Sequence, residues 1–172
     1  MQDRAGFTLI EVLVAASMIG IVTLVAATNF RAQIPTFRAR GAAMAIAGDI
    51  NQARLSAVKE GVQYLYVPDA GTTYRVERSD GLGGTEVLKT VDIAAEFPGV
   101  SFATSAAKDP YGNDGPAPVP GVSMIFHSNG TVQNAAGVFV QADTGEGTAE
   151  HAVTVTAAGR VRVWRYDGES WS

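Results

Sequence analysis

The chain has 172 residues, of which 47% are hydrophobic and 17% are charged, and its formal net charge is −4. This length suits one domain, the charged share is below the typical value of about 25%, and the acidic balance excludes a generally basic nucleic-acid binder. Cysteine is absent and there are two histidines, which excludes disulfide scaffolds, thiolate metal sites and cysteine nucleophiles. The composition favours a tethered or exported, turn-rich domain over an enzyme.

An apolar run begins close to the N-terminus. Residues 1–6 form a short polar segment, whereas residues 7–30 contain a single charged side chain, Glu11. A helix of about 24 residues is about 36 Å long, enough to cross the hydrocarbon core of a bilayer. We therefore predict a membrane-spanning helix over residues 7–30. The alternatives are a buried core helix and a secretory signal cleaved near Ala26 and Ala27.

Glu11 is the unusual residue of this run. A carboxylate inside an apolar membrane helix costs a few kcal/mol on insertion scales, so it is expected to have a partner. An amino terminus created at Phe7 would lie about one helical turn away, and a neighbouring copy shifted along its axis could supply that amine. The alternative is that Glu11 lies near the membrane interface, where it is solvated or protonated.

Beyond the apolar run the pattern changes twice. Residues 31–61 are alanine-rich with apolar residues at helical spacing, which predicts an amphipathic continuation of the helix. We expect a bend or interruption at Pro35 and a helix end at Gly61. Residues 62–172 alternate short β-rich runs with turn residues. The predicted strands are 62–67, 73–78, 86–93, 100–104, 122–127, 137–143, 152–157 and 160–166.

These elements predict an α+β fold, in which a long N-terminal helix packs on an antiparallel β-rich head. The last two strands are expected to form a hairpin through Ala158 and Gly159. A polar, proline-rich loop is predicted over residues 105–120. The region 62–120 contains no recognisable motif.

The last predicted strand carries a Gly-Arg-Val-Arg run. Arg160 and Arg162 would share one face of the strand, about 7 Å apart, a spacing that suits successive phosphates of nucleic acid. The alternative is a solvated strand with its valines facing inward. Residues 61–158, with four basic and eleven acidic residues and a net charge of −7, oppose DNA binding. The predicted contact residues are Gly159, Arg160, Arg162 and Arg165. Aromatic residues that could stack on bases are Trp164, Tyr166 and Trp171.

Other candidate chemistry has little support in the sequence. His127 and His151 lie on separate predicted strands, without a cysteine or spaced carboxylate to complete a metal site. The aspartates in the predicted turns are too widely spaced to supply the clustered oxygen ligands of a calcium-binding loop. The glycine-rich residues 81–84 lack the lysine of a phosphate-binding loop. We predict that the chain is not an enzyme and has no metal, cofactor or small-molecule substrate.

Residues 6–15, GFTLIEVLVA, resemble the class III signal of type IV pilins and pseudopilins. Further segments resemble the GspH/FimT family of minor pilins and pseudopilins; they are residues 49–61, 124–132, 137–140 and 153–165. The resemblance implies a pilin-like fold, cleavage after Gly6 by a prepilin peptidase and methylation of Phe7. It also implies that Glu11 pairs with the amino terminus of an adjacent subunit during filament assembly.

The resemblance further implies a location and partners. Residues 1–6 would be a cytoplasmic leader, and the chain would cross the bacterial inner membrane once, with its head in the periplasm or outside. It would join other pilins or pseudopilins in a pilus or pseudopilus. The basic residues Arg31, Arg38 and Arg40 oppose this orientation on charge bias alone.

In FimT-type pilins the GRxR element is implicated in DNA capture for natural transformation, which implies DNA binding through Arg160 and Arg162. The alternative is a GspH-type pseudopilin with a structural role in type II secretion.

Overall fold

The structure, a computed structural model, describes residues 8–69, 71–102, 123–145 and 147–172, without the side chains of residues 25–32. It divides into two compact units, Met1–Ile34 and Pro35–Ser172. The predictions for Gly6, for Phe7 and for the loop over 105–120 lie outside the described residues.

The first unit contains the beginning of helix α1, which spans Leu9–Glu60. The described side chains from Thr8 to Leu24 are exposed. Among the described residues, no helix combines the length and the apolar character needed to cross a membrane. The spanning helix over residues 7–30 therefore remains a prediction.

The second unit contains the rest of α1, whose buried face consists mainly of alanine. Residues of this face recur every three or four positions, as expected for one side of a helix; they are Ala39, Ala42, Ala43, Ile46, Ala47, Ile50, Ala53 and Ala57. The helix passes through Pro35 without a break, so the predicted interruption at this residue is wrong. A proline removes one backbone hydrogen-bond donor, whereas the residues of the neighbouring turns keep their backbone hydrogen bonds. Gly61 ends the helix at φ +71°, and its N–H donates to the Ala57 carbonyl at 3.0 Å.

Two antiparallel sheets form the β domain in the part of the chain that the structure describes. The strands are β1 Tyr64–Pro68, β2 Thr73–Ser79, β3 Thr85–Asp92, β4 Val100–Phe102, β5 Met124–Phe126, β6 Val132–Gln133, β7 Gly137–Asp143, β8 Thr148–Val155 and β9 Val161–Arg165. One sheet has the order β3-β2-β1-β5-β6 and the other has the order β4-β7-β8-β9. The predicted α+β fold with antiparallel pairing is confirmed.

Several predicted strand limits differ from the observed ones by one or more residues, and two of these differences have a clear cause. The strand predicted over 86–93 stops at Asp92, because the Asp92 carboxylate accepts a hydrogen bond from the Ala94 N–H at 3.0 Å and caps a short helix, α2 (Ile93–Glu96). The strand predicted over 152–157 begins earlier, at Thr148, because its polar first residues pair with the end of β7.

One hydrophobic core joins the buried face of α1 to residues of both sheets. Its largest side chains include Tyr66, Tyr74 and Phe126. A smaller cluster, built on Phe139 and Ala152, lies on the other face of the second sheet. The two faces of the second sheet therefore carry different clusters, and the side chains of β9 alternate between these two faces.

Candidate functional site

Glu11 caps the start of α1 in this structure. Its carboxylate accepts hydrogen bonds from the Thr8 backbone N–H and from the Thr8 hydroxyl, both at 2.9 Å. The Glu11 N–H in turn contacts the Thr8 hydroxyl oxygen at 3.3 Å. This reciprocal pattern is a capping box, which a Thr-x-x-Glu spacing could have predicted. In the single chain, Glu11 therefore already has a partner within its own first turn.

The turn between β8 and β9 depends on Gly159. This buried glycine has φ +78°, its N–H donates to the Thr156 carbonyl at 2.7 Å, and the Thr156 N–H donates to the Arg160 carbonyl at 3.0 Å. A three-residue loop that ends in a left-handed glycine is a common hairpin connection. The hairpin predicted through Ala158 and Gly159 is present.

A side chain at position 159 has no room. A Cβ built on Gly159 would meet the Arg54 side chain and the Gly130 carbonyl oxygen. Arg54 is half-buried, and its Nε donates to that same carbonyl at 3.1 Å. The role of Arg54 was missed because it depends on three segments that are far apart in sequence.

Arg160 and Arg162 are both exposed; Arg162 lies on the outer face of β9, and Arg160 directly precedes the strand. Arg162 is paired across the hairpin with Thr154, and Trp164 with Ala152, so both side chains lie on the face that carries the smaller cluster. The Arg162 Cζ lies 5.4 Å from the centre of the Trp164 ring, which is cation–π distance. The shared face of the two arginines stays a prediction, because Arg160 directly precedes β9.

Arg165 lies on the opposite face of β9. It is paired with His151, and its face also carries Val161 and Val163. Since side chains alternate along a strand, Arg165 cannot join Arg160 and Arg162 on one flat surface. The predicted set of four therefore separates into a buried turn glycine, two outward arginines and one arginine on the core side.

The predicted stacking residues are partly engaged within the fold. The Trp164 Nε1–H donates to the Thr154 hydroxyl at 2.8 Å. The Trp171 ring lies 5.7 Å from the Phe139 ring and 5.1 Å from the Tyr166 ring. All three predicted aromatics are half-buried, so they cover the outer face of the sheet and leave limited area for a base.

The arginines of α1 beyond the apolar run contact different parts of the fold and do not form one cluster. Arg38 donates to the Pro98 carbonyl at 3.0 Å, and Arg54 is held at Gly130 and Gly159, as described above. His127, which follows β5 of the first sheet, contacts Gln63 at 3.2 Å, whereas His151 lies on β8 of the second sheet. Within the described ranges, no cluster of three His, Cys, Asp or Glu residues is arranged to hold a metal.

The N-terminal segment matches a known family model. The family model described as "Prokaryotic N-terminal methylation motif" matches residues 1–27. The chain therefore carries a prepilin-type methylation motif, in agreement with the resemblance of its first residues to pilins. No curated protein sequence matches the chain.

The chain shares its fold with a minor pseudopilin. The chain is similar to the minor pseudopilin EpsH from the type 2 secretion system of Vibrio cholerae, with a TM-score of 0.52 and 13% identity over 77% of this chain and 99% of that one. At this identity the likeness concerns the fold. The motif and the fold together are consistent with the GspH/FimT family that the sequence resembles.

Proposed function

We propose that the chain is a minor pilin or pseudopilin, a non-enzymatic subunit of a type IV pilus or a type II secretion pseudopilus. The observation that supports it best is the coincidence of a prepilin-type motif at residues 1–27 with a pseudopilin-like head. Its partners are then a prepilin peptidase, the bacterial inner membrane and other pilins or pseudopilins. The head lies in the periplasm or outside.

An exposed apolar stripe on α1 supports assembly with other subunits. Phe37, Met44 and Leu55 are each more than half exposed, and their spacing places them on one helical face. Gly48, on the same face, has no atom within 4 Å of a built Cβ. Large apolar side chains in a row on an exposed face are typical of an interaction surface.

Leader removal tests the first step of this proposal. Replacing Gly6 with valine is expected to block cleavage, because the peptidase that recognises this motif requires a small residue before the cut. Mass spectrometry of the membrane-extracted protein should show an intact Met1 in the variant and a methylated Phe7 in the parent. A methylated Phe7 in Gly6→Val would contradict the assignment of the motif.

Filament entry tests the role of Glu11. The variant Glu11→Ala should insert in the membrane at least as well as the parent, because an ionised carboxylate is costly in lipid. Its recovery in sheared filaments, or its crosslinking to neighbouring pilins, should fall about tenfold or more, the loss expected for a buried charge pair.

Thr8→Val is the matched control for Glu11→Ala, since it removes the Thr8 hydroxyl from the capping box and keeps both the carboxylate and the Thr8 backbone N–H that donates to it. We expect Thr8→Val to assemble close to the parental level. Equal loss in both variants would mean that Glu11 acts only as a helix cap, and normal assembly of Glu11→Ala would rule out pairing between subunits.

We further propose that the head binds DNA through Arg160 and Arg162, as in FimT-type pilins. Both residues are exposed, and Arg162 lies over the Trp164 ring. Gly159 contributes by shaping the turn, and Arg165, on the other face, contributes less. The alternative is a GspH-type structural role in type II secretion, which the acidic balance of residues 61–158 favours.

Binding by the parental chain distinguishes these two functions. The full chain in neutral detergent should bind a fluorescein-labelled DNA duplex at about 50 mM salt and lose most of that binding by about 200 mM. Absence of binding at the lower salt would favour the secretion subunit.

A further inference from the structure

One arginine of α1 lies where three segments of the unit Pro35–Ser172 meet. The Arg54 Nε–H donates to the Gly130 carbonyl, in the β5–β6 turn, at 3.1 Å. The same side chain lies against Gly159, in the β8–β9 turn, where a built Cβ would collide with it. Arg54 therefore links the helix to both turns through a single side chain.

The two turns are also joined to each other through their backbones. The Val132 N–H, at the start of β6, donates to the Ala157 carbonyl of the β8–β9 turn at 2.9 Å. Gly130 is buried, and buried backbone carbonyls are normally hydrogen-bonded, so Arg54 supplies a donor that this turn needs. The β8–β9 turn is thus held from two sides, by Val132 and by Arg54.

The backbone of Arg160 is part of the β8–β9 turn. Its N–H donates to the Thr156 hydroxyl at 3.1 Å, and its carbonyl accepts from the Thr156 N–H at 3.0 Å. The N–H of Gly159, the residue before it, donates to the Thr156 carbonyl at 2.7 Å. A shift of this turn therefore moves Arg160 and the beginning of β9 with it.

We propose that Arg54 is the positioning residue of the DNA site formed by Arg160 and Arg162, a role that rests on the DNA binding proposed above. Arg54 is half-buried and its Nε is engaged by Gly130, so we assign it no phosphate contact. It holds the turn that presents Arg160, and a preorganised site binds more tightly because less ordering is required on binding. Lysine cannot replace it, because the only donor of a lysine side chain is its terminal ammonium, whereas arginine donates here from Nε.

DNA binding by two variants of the full chain in neutral detergent tests this role. Arg54→Lys keeps the charge, and Arg54→Met removes it. Each should weaken binding of the fluorescein-labelled duplex about fivefold, the equivalent of one ordinary hydrogen bond. In both variants the slope of log affinity against log salt should stay close to the parental value, because no phosphate contact is lost.

The same two substitutions at Arg38 are the matched control. Arg38 also lies on α1 and donates to a backbone carbonyl, that of Pro98, at 3.0 Å, but it does not contact either turn in this way. We expect both Arg38 variants to bind DNA like the parent. Circular dichroism checks that all four variants are folded.

Amide hydrogen exchange followed by NMR examines the turn without DNA. In Arg54→Lys the Gly159 N–H should exchange about tenfold faster than in the parent, since the turn opens locally when its anchor is lost. The Val153 amide, in the middle of the second sheet, should keep its parental rate. Arg38→Lys should leave the Gly159 rate unchanged.

The outcomes separate this role from the proposed function. Absence of DNA binding by the parent at about 50 mM salt would overturn both. Parental DNA affinity or a parental Gly159 exchange rate in Arg54→Lys would overturn the role of Arg54 alone. A slope lowered by about 0.9 in Arg54→Met would make Arg54 a direct phosphate contact, which also overturns the positioning role.

Discussion

Replacing both Arg160 and Arg162 with alanine is expected to remove most DNA binding while the head stays folded. Both side chains are exposed, and each phosphate contact contributes about 0.9 to the slope of log affinity against log salt. The slope of the double variant should therefore fall by nearly twice that value. Fluorescence anisotropy at two salt concentrations measures the binding, and circular dichroism checks the fold.

A single exposed arginine elsewhere provides the control for this experiment. Arg78→Ala removes the same charge from the other sheet, and we expect it to change binding less than Arg162→Ala alone. Arg165→Ala, on the opposite face of β9, should also have the smaller effect. If the double variant binds as well as the parent, another surface carries DNA, and the first candidates are Arg38, Arg40 and Arg54 on the helix flank.

Gly159→Ala is expected to lower the free energy of unfolding by about 2–4 kcal/mol. A left-handed backbone costs a residue with a Cβ about 1–2 kcal/mol, and the overpacked contact with Arg54 and Gly130 adds a cost of similar size. Urea unfolding followed by tryptophan fluorescence measures this change.

Gly145→Ala separates the two contributions to that loss. Gly145 has φ +80°, close to the +78° of Gly159, but no atom lies within 4 Å of its built Cβ. Its alanine variant should lose only the backbone part, about 1–2 kcal/mol. An equal loss at both positions would mean that Arg54 and Gly130 move aside at no cost.

Local patterns were enough to predict most elements of the fold. Alternation of apolar and polar residues located the strands, and the glycine after Glu60 marked the end of α1. The division into two sheets could not be read from these patterns, because it depends on β1 pairing with β5 and β4 pairing with β7, strands that are far apart in sequence. The short helix α2 was missed because a single capping aspartate, Asp92, decides it.

The candidate site could also be predicted only in part, because local alternation is visible in the sequence and contacts between distant segments are not. Period-two alternation places Arg162 and Arg165 on opposite faces of β9, as the pairing of Arg162 with Thr154 and of Arg165 with His151 shows. What the aromatics contact could not be predicted, because the Trp164 indole and the Trp171 ring find their partners only when the sheet is formed.

The strand β9 presents arginines to two different environments, and the turn at Gly159 decides which arginine meets which. A slip of one residue in the β8–β9 pairing would turn Arg160 and Arg162 toward the core side and bring Arg165 to the outer surface. The tight loop, anchored to α1 through Arg54, opposes such a slip. A short hairpin thereby holds two arginines of one strand on opposite sides of the sheet, so that a ligand docking on the outer face would meet Arg162 and not Arg165.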